Sequence, residues 1–369
     1  MRKNLVEYRD YFQKVYPRRY VSEIGFRAVV IMTIFFGLLF FKFIPPGQFP
    51  KYMVYITLAS CFIYGNFMHF PSNNTMTIKT SKSEKNFGGK TTLVIKNHDL
   101  RGKKGVSYSL FANVAAQSIF MNFNPIVDPH FKITKNFGCY YFNSCAEQVH
   151  LTLPNGGDLL GRTPKRTIII TNHTITASRD AFAFFPLIPL DRKMIVIQHN
   201  FNGIVTSISR KTWGAWTVDK DDKSREGKAK LLDDMENILV YMRKNPELTV
   251  VIYPGGVVPK TVQDSRSIKK FYPGAFYLSL LSGYSIIPLI NDYSPNSNIF
   301  RTSVKEPVNL VEEYKGRFIK FDTIKEFREN ETNKNLLEEI CERFRRVFNE
   351  ETSSITKIEK EVKQEWMIE

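Results

Sequence analysis

Thr167-Ile-Ile-Ile-Thr171 is a short β-branched run that delivers Asn172 and His173 to its end. An acid, Asp180, follows where a helix looks set to start. A histidine at a strand's end can act as a general base when a neighbouring carboxylate fixes its tautomer. That pairing suits removal of a proton from a hydroxyl as it attacks an acyl group. The same residues also read as a surface histidine in an Asn/Thr-rich loop, so the surrounding elements must decide. A second Asn-His pair, Asn97-His98, also follows a strand-like run. Its acid, Asp99, is adjacent to the histidine, which is poor geometry for orienting an imidazole.

The chain after residue 160 alternates between two periods. Strands are expected at Thr167–Thr171, Lys193–Gln198, Ala215–Val218, Leu248–Tyr253 and Ser285–Ile290. Helices are expected at Ala177–Leu187, Phe201–Ser209, Ser224–Lys244 and Ala275–Ser282. The longest shows one stripe, Leu231, Leu232, Met235, Ile238, Leu239 and Met242, at helical spacing. Such alternation argues for an α/β fold, a mixed sheet flanked by helices. Sites in these sheets lie at strand ends. His173 and a Tyr253-Pro254-Gly255-Gly256 turn both lie there. Ahead of this region, Thr91–Ile95 reads as a strand and Val106–Asn122 as a helix, with nothing catalytic between residues 75 and 160. Leu336, Leu337, Ile340, Phe344, Val347 and Phe348 form the apolar face of a C-terminal amphipathic helix, followed by a charged tail.

The 369 residues carry a formal charge of +16. Basic runs at Lys79–Lys104 and Arg162–Arg166 suit an anionic membrane or a phosphorylated substrate. No zinc-finger, RNP-type or helix-turn-helix signature points to nucleic acid. The four cysteines lack zinc-site spacing and resemble no disulfide framework. The six histidines do not cluster. No metal site or cofactor is expected. The oligomeric state is open.

Two apolar runs, Ala28–Ile44 and Tyr52–Phe70, flank the breaker Pro45-Pro46-Gly47. Each is roughly 26–28 Å long as a helix, against a hydrocarbon core of about 30 Å. An N-terminal membrane-embedded two-helix hairpin is therefore expected, either spanning or dipping into one leaflet. Basic residues precede the first run and follow the second, which places both ends on the cytosolic side. The organisation expected is a basic segment over 1–24, the hairpin over 25–70, an α/β domain over 75–325, and the helix and tail over 326–369. The bilayer is the expected partner.

Four blocks between residues 160 and 295 together resemble the membrane-bound glycerolipid acyltransferases, the lysophosphatidic acid acyltransferase superfamily. Asn172-His173 matches the first block. The family places its acid after four intervening residues, at the position of Ser178, whereas Asp180 stands two residues later. A two-residue insertion reconciles them. Gly214-Ala-Trp-Thr-Val-Asp-Lys220 has the shape of the second block, with Lys220 where the family has Arg. Tyr253-Pro-Gly-Gly-Val-Val258 stands where the family has Phe-Pro-Glu-Gly-Thr-Arg. Its Pro-Gly-Gly form is like that of the mono- and diacylglycerol acyltransferases, which accept uncharged acceptors, although their His-Pro-His-Gly motif is missing. Phe271–Leu278 and Ile286-Ile-Pro-Leu289 resemble the fourth block.

The resemblance implies acyl-CoA as co-substrate and a lipid hydroxyl as acceptor. It implies His173 as general base and Asp180 as its orienting acid. Asn172, Lys220, Tyr253, Pro254, Gly255, Gly256 and Lys260 would face the substrates. The glycines would bring backbone N–H groups near a phosphate or oxyanion, and the lysines would meet phosphate. No Gly-x-Ser-x-Gly elbow occurs, which counts against a serine hydrolase. Two other readings use the same residues: a catalytically impaired, acyltransferase-like scaffold that binds lipid, and a hydrolase or transacylase.

Overall fold

The computed structural model describes residues 74–81, 90–97, 146–154, 157–175, 180, 183–189, 192–199, 215–218 and 224–365. The hairpin expected over 25–70, the helices expected at 106–122 and 201–209, His98, Ser178 and Lys220 lie outside them. Among the described residues, no helix is long and apolar enough to cross a membrane.

Among the described residues, nine strands form one mixed sheet: β1 (Asn74–Ser81), β2 (Lys90–Asn97), β3 (Gln148–Leu153), β4 (Thr167–Thr171), β5 (Met194–His199), β6 (Ala215–Val218), β7 (Thr249–Ile252), β8 (Ser285–Ser294) and β9 (Ile299–Val304). Their order across the sheet is β1-β2-β3-β9-β8-β4-β7-β5-β6. The block from β8 through β6 is parallel. β9 runs antiparallel to β8 and parallel to β3, and β1 to β3 form an antiparallel meander. The five α/β strands expected from sequence all appear. β1, β3 and β9 were not read from it. β9 was missed because Ile-Phe-Arg-Thr-Ser-Val shows no clean alternation.

β4 is central, with β8 on one side and β7 on the other. Ile168, Ile169 and Ile170 are fully buried, as expected for a parallel strand covered on both faces. Ile169 joins Leu151, Phe184, Phe185, Val251, Ile287 and Phe300 in one cluster. Ile168 and Ile170 join the cluster on the opposite face, beneath the helices. Pro288 has no N–H to donate, and it lies one residue before the β8–β9 ladder begins at Leu289.

The helical layer comprises α1 (Arg225–Lys244), α2 (Val262–Arg266), α3 (Gly274–Ser282), α4 (Leu310–Glu313), α5 (Ile324–Glu329) and α6 (Glu331–Glu365). Ser224 caps α1 by accepting the Gly227 N–H, with Glu226 in its first turn and Arg243 and Lys244 in its last. Met235, Ile238, Leu239 and Met242 are buried, while Leu231 and Leu232 are only partly covered. Leu336, Leu337, Ile340, Phe344 and Phe348 of α6 enter the same cluster. The amphipathic C-terminal helix therefore packs on the body. The helix expected at Ala177–Leu187 is corrected in its last turn. Phe185–Leu187 is a 3-10 turn with Pro186 inside it, since proline cannot donate the hydrogen bond an α-helical turn needs there.

Candidate active site

β4 ends at Thr171, and the next two residues occupy its C-terminal mouth. Asn172 is 3% exposed. Its side-chain N–H donates to the Asn291 carbonyl at 2.8 Å, and its side-chain oxygen accepts the Asn291 N–H at 2.7 Å. The Asn291 amide in turn donates to Thr171 Oγ1 at 2.9 Å and accepts from Thr302 Oγ1 at 2.9 Å. Both ends of the Asn172 amide thus bind the backbone of β8. This clamp fastens β4, β8 and β9 together at the end of the sheet that carries His173. Asn291 was not singled out from sequence. The available signal was the polar pair Asn291-Asp292 closing an apolar strand.

His173 keeps 21% of its side chain exposed, whereas the Asp180 side chain is fully buried. Asp180 Oδ2 lies 3.4 Å from His173 Nδ1. The same oxygen accepts the Thr174 N–H at 2.6 Å, and Oδ1 accepts the Thr174 hydroxyl at 2.7 Å. The carboxylate is therefore held by the residue that follows the histidine. A buried carboxylate needs such donors to remain charged. The seven-residue separation of His173 and Asp180 is two longer than the spacing of the family that the blocks resemble. The acid nonetheless meets the ring.

Tyr253, at the end of β7, lies flat on His173, with ring centroids 4.0 Å apart and planes 3° from parallel. Its hydroxyl donates to the Asp180 carbonyl at 3.3 Å. Burial pushes the Tyr253 phenol well above its ordinary range, and the Asp180 charge adds to that. The hydroxyl thus stays a neutral donor.

Pro254 and Gly255 are the central residues of a turn closed by the Gly256 N–H donating to the Tyr253 carbonyl at 3.0 Å. Proline suits the first central position of such a turn. The Gly256 N–H is accordingly spent inside the turn. Gly256 has φ 66°, in the left-handed region that glycine enters without strain. Gly255 has no such requirement: a Cβ there meets only Ile268 Cγ2 at 4.0 Å. Gly256→Ala should therefore cost about 1 kcal/mol, while Gly255→Ala stays within about 0.5 kcal/mol. Thermal unfolding of the two variants checks this, and equal losses would contradict it. Lys260 is exposed beyond this turn, as are Val257 and Val258.

On the helical side of the same sheet end, Asp292 is fully buried and takes a two-pronged contact from Arg266. Nε approaches Oδ1 at 2.7 Å and a terminal nitrogen approaches Oδ2 at 2.9 Å. Arg301 adds a second cation at 3.5 Å. These residues fix α2, and with it the segment after the Pro-Gly-Gly turn, to β8. Sequence reasoning did not find them. Among the described residues, no group of three or more His, Cys, Asp or Glu side chains gathers as for a metal.

A histidine with a buried carboxylate behind it, at the C-terminal mouths of adjacent parallel strands of an α/β sheet, is an arrangement that can transfer a proton. Residues 159–291 match the family model for Acyltransferase. The matched span runs from before β4 to Asn291, and it includes His173, Asp180 and the Tyr253 turn. A search of the curated proteins finds none that matches the chain.

Proposed function

We propose that this protein moves a fatty acyl group from acyl-CoA to a hydroxyl of a (lyso)glycerophospholipid or glycerolipid, with His173 as general base. The observation that carries this reading is the pair itself: a buried Asp180 carboxylate 3.4 Å from His173 Nδ1, on a ring still partly open to the outside. With Nδ1 turned to the acid, Nε2 remains for the acceptor hydroxyl. As that oxygen attacks the thioester carbonyl, its proton passes to Nε2, and Asp180 stabilises the imidazolium. The tetrahedral adduct then collapses. The carbon–sulfur bond breaks, the ester remains on the acceptor, and the imidazolium returns its proton to the departing thiolate of CoA. No nucleophile from the protein is required.

Lys220 and Lys260 are the cations assigned to phosphate groups of CoA or the acceptor. Gly255 stands where the resembled family has Glu, and Val258 where it has Arg, which favours an uncharged acceptor such as diacylglycerol. The apolar runs over 25–70 would hold the enzyme at the bilayer, with the α/β domain on the cytosolic face.

Transfer of labelled acyl groups from acyl-CoA to a panel of lysophospholipids, glycerol 3-phosphate and diacylglycerol tests the proposal. The expected result is CoA-dependent labelling of at least one glycerolipid, with glycerol 3-phosphate the poorest acceptor. Labelled free fatty acid instead of labelled lipid would identify a hydrolase. The altered third block also favours a lipid-binding scaffold, and the same panel decides that: binding of lipid without transfer to any acceptor would establish it.

A further inference from the structure

The Tyr253 ring covers one face of the imidazole, at 4.0 Å and 3° from parallel. Its hydroxyl reaches past the histidine to the Asp180 backbone carbonyl. One side chain, from a different strand, therefore touches both members of the pair. The geometry leaves it little surface for substrate: one ring face is on His173 and the hydroxyl is on Asp180. Among the described residues, the titratable groups facing the imidazole are Asp180, from the segment after β4, and Tyr253 itself. Thr174 holds the Asp180 carboxylate from the other side.

We infer that Tyr253 is a positioning residue for His173, fixing the plane of the imidazole and stabilising its protonated form, rather than a substrate contact. This rests on the acyl-transfer reading of the site. The 3.4 Å contact to Asp180 is long, and on its own it leaves the ring free to swing about Nδ1. A flat aromatic partner removes that freedom and keeps Nε2 aimed in one direction. The negative face of the phenol ring also lies under the imidazole, where it attracts the positive charge that arrives during proton transfer. The hydroxyl ties this ring to the backbone carbonyl of Asp180 itself, so the three groups are held as one unit. A neutral, buried phenol is suited to that work because it adds no charge of its own.

The test uses the full chain in its membrane or detergent environment. It compares Tyr253→Phe, which keeps the ring, with Tyr253→Leu and Tyr253→Met, which do not. Two quantities are read: steady-state acyl transfer, and the rate at which diethyl pyrocarbonate modifies His173, followed by mass spectrometry of its peptide. The second needs no turnover. Tyr253→Phe is expected within about threefold of wild type in both. The two aliphatic variants should lose about tenfold in kcat, keep both KM values within about twofold, and expose His173 to modification several times faster. A raised KM at unchanged kcat would instead make Tyr253 a substrate contact and overturn the inference. So would aliphatic variants whose His173 reacts at the wild-type rate. A wild-type protein with no transfer at all would defeat the acyl-transfer reading. The modification rates would then still decide whether the ring holds the imidazole.

Discussion

His173→Ala is expected to abolish acyl transfer and to leave the fold intact. That is the largest effect expected of any substitution in this chain. General-base catalysis contributes roughly 10²–10⁴-fold, and loss of the imidazole also removes the proton donor for the departing thiolate. A fall in kcat/KM of at least about 10³-fold is expected. The structural cost should be small. The ring is partly exposed, and its contact with Asp180 is long. Asp180 keeps both hydrogen bonds from Thr174 when the ring is gone, so no buried carboxylate is stranded. Thermal unfolding within a few degrees of wild type, together with absent turnover, is the expected pairing. Full activity in the variant would remove His173 from the chemistry and sink the assignment.

Asp180→Asn is expected to cost far more activity than Ser178→Ala. The substitution at 180 keeps the size of the side chain but removes its charge. An amide cannot stabilise the imidazolium as a carboxylate does, and it can present its NH₂ to Nδ1, which selects the wrong tautomer. A loss on the order of 10³-fold in kcat is expected, whereas Ser178→Ala should stay within about threefold. Asn also replaces an oxygen that accepts from Thr174, so a modest fall in stability should accompany the loss of rate. The reverse ranking in steady-state assays would mean that the acid of the site had been assigned two residues too far along the chain.

The legibility of this protein in its sequence follows a physical division. Strands β4 to β8 and helices α1 and α3 were readable because periodicity and propensity act over a few residues. Three buried isoleucines in β4, or a Met/Ile/Leu stripe after a Ser cap in α1, announce themselves locally. Strand β3 carries the local signal as well, because Gln148-Val-His-Leu-Thr-Leu153 alternates polar and apolar residues, although it was not read as a strand; β9 was not readable in this way. β3 exists as part of this sheet through pairing with β2 and β9, and β9 through pairing with β3 and β8. The β9 run, Ile-Phe-Arg-Thr-Ser-Val, does not stand out from its neighbours by pattern alone. The Ala177–Leu187 segment shows the opposite error. Its apolar content suggested a helix, but Pro186 leaves a 3-10 turn at its end.

The candidate site divides along the same line. The sequence by itself determined that a histidine stands at the end of a buried β-branched strand, that a Pro-Gly-Gly turn ends another, and that carboxylates are near in the chain. Those are properties of short segments. Only the tertiary structure decided which groups meet. It set Asp180 on the imidazole despite the longer spacing, laid Tyr253 flat against the ring from a neighbouring strand, and committed Asn172 to Asn291. The physical reason is that spacing along a loop bounds how far a side chain can reach but not where it lands. Its landing place is set by the order of strands in the sheet and by the need of every buried polar group to find a partner.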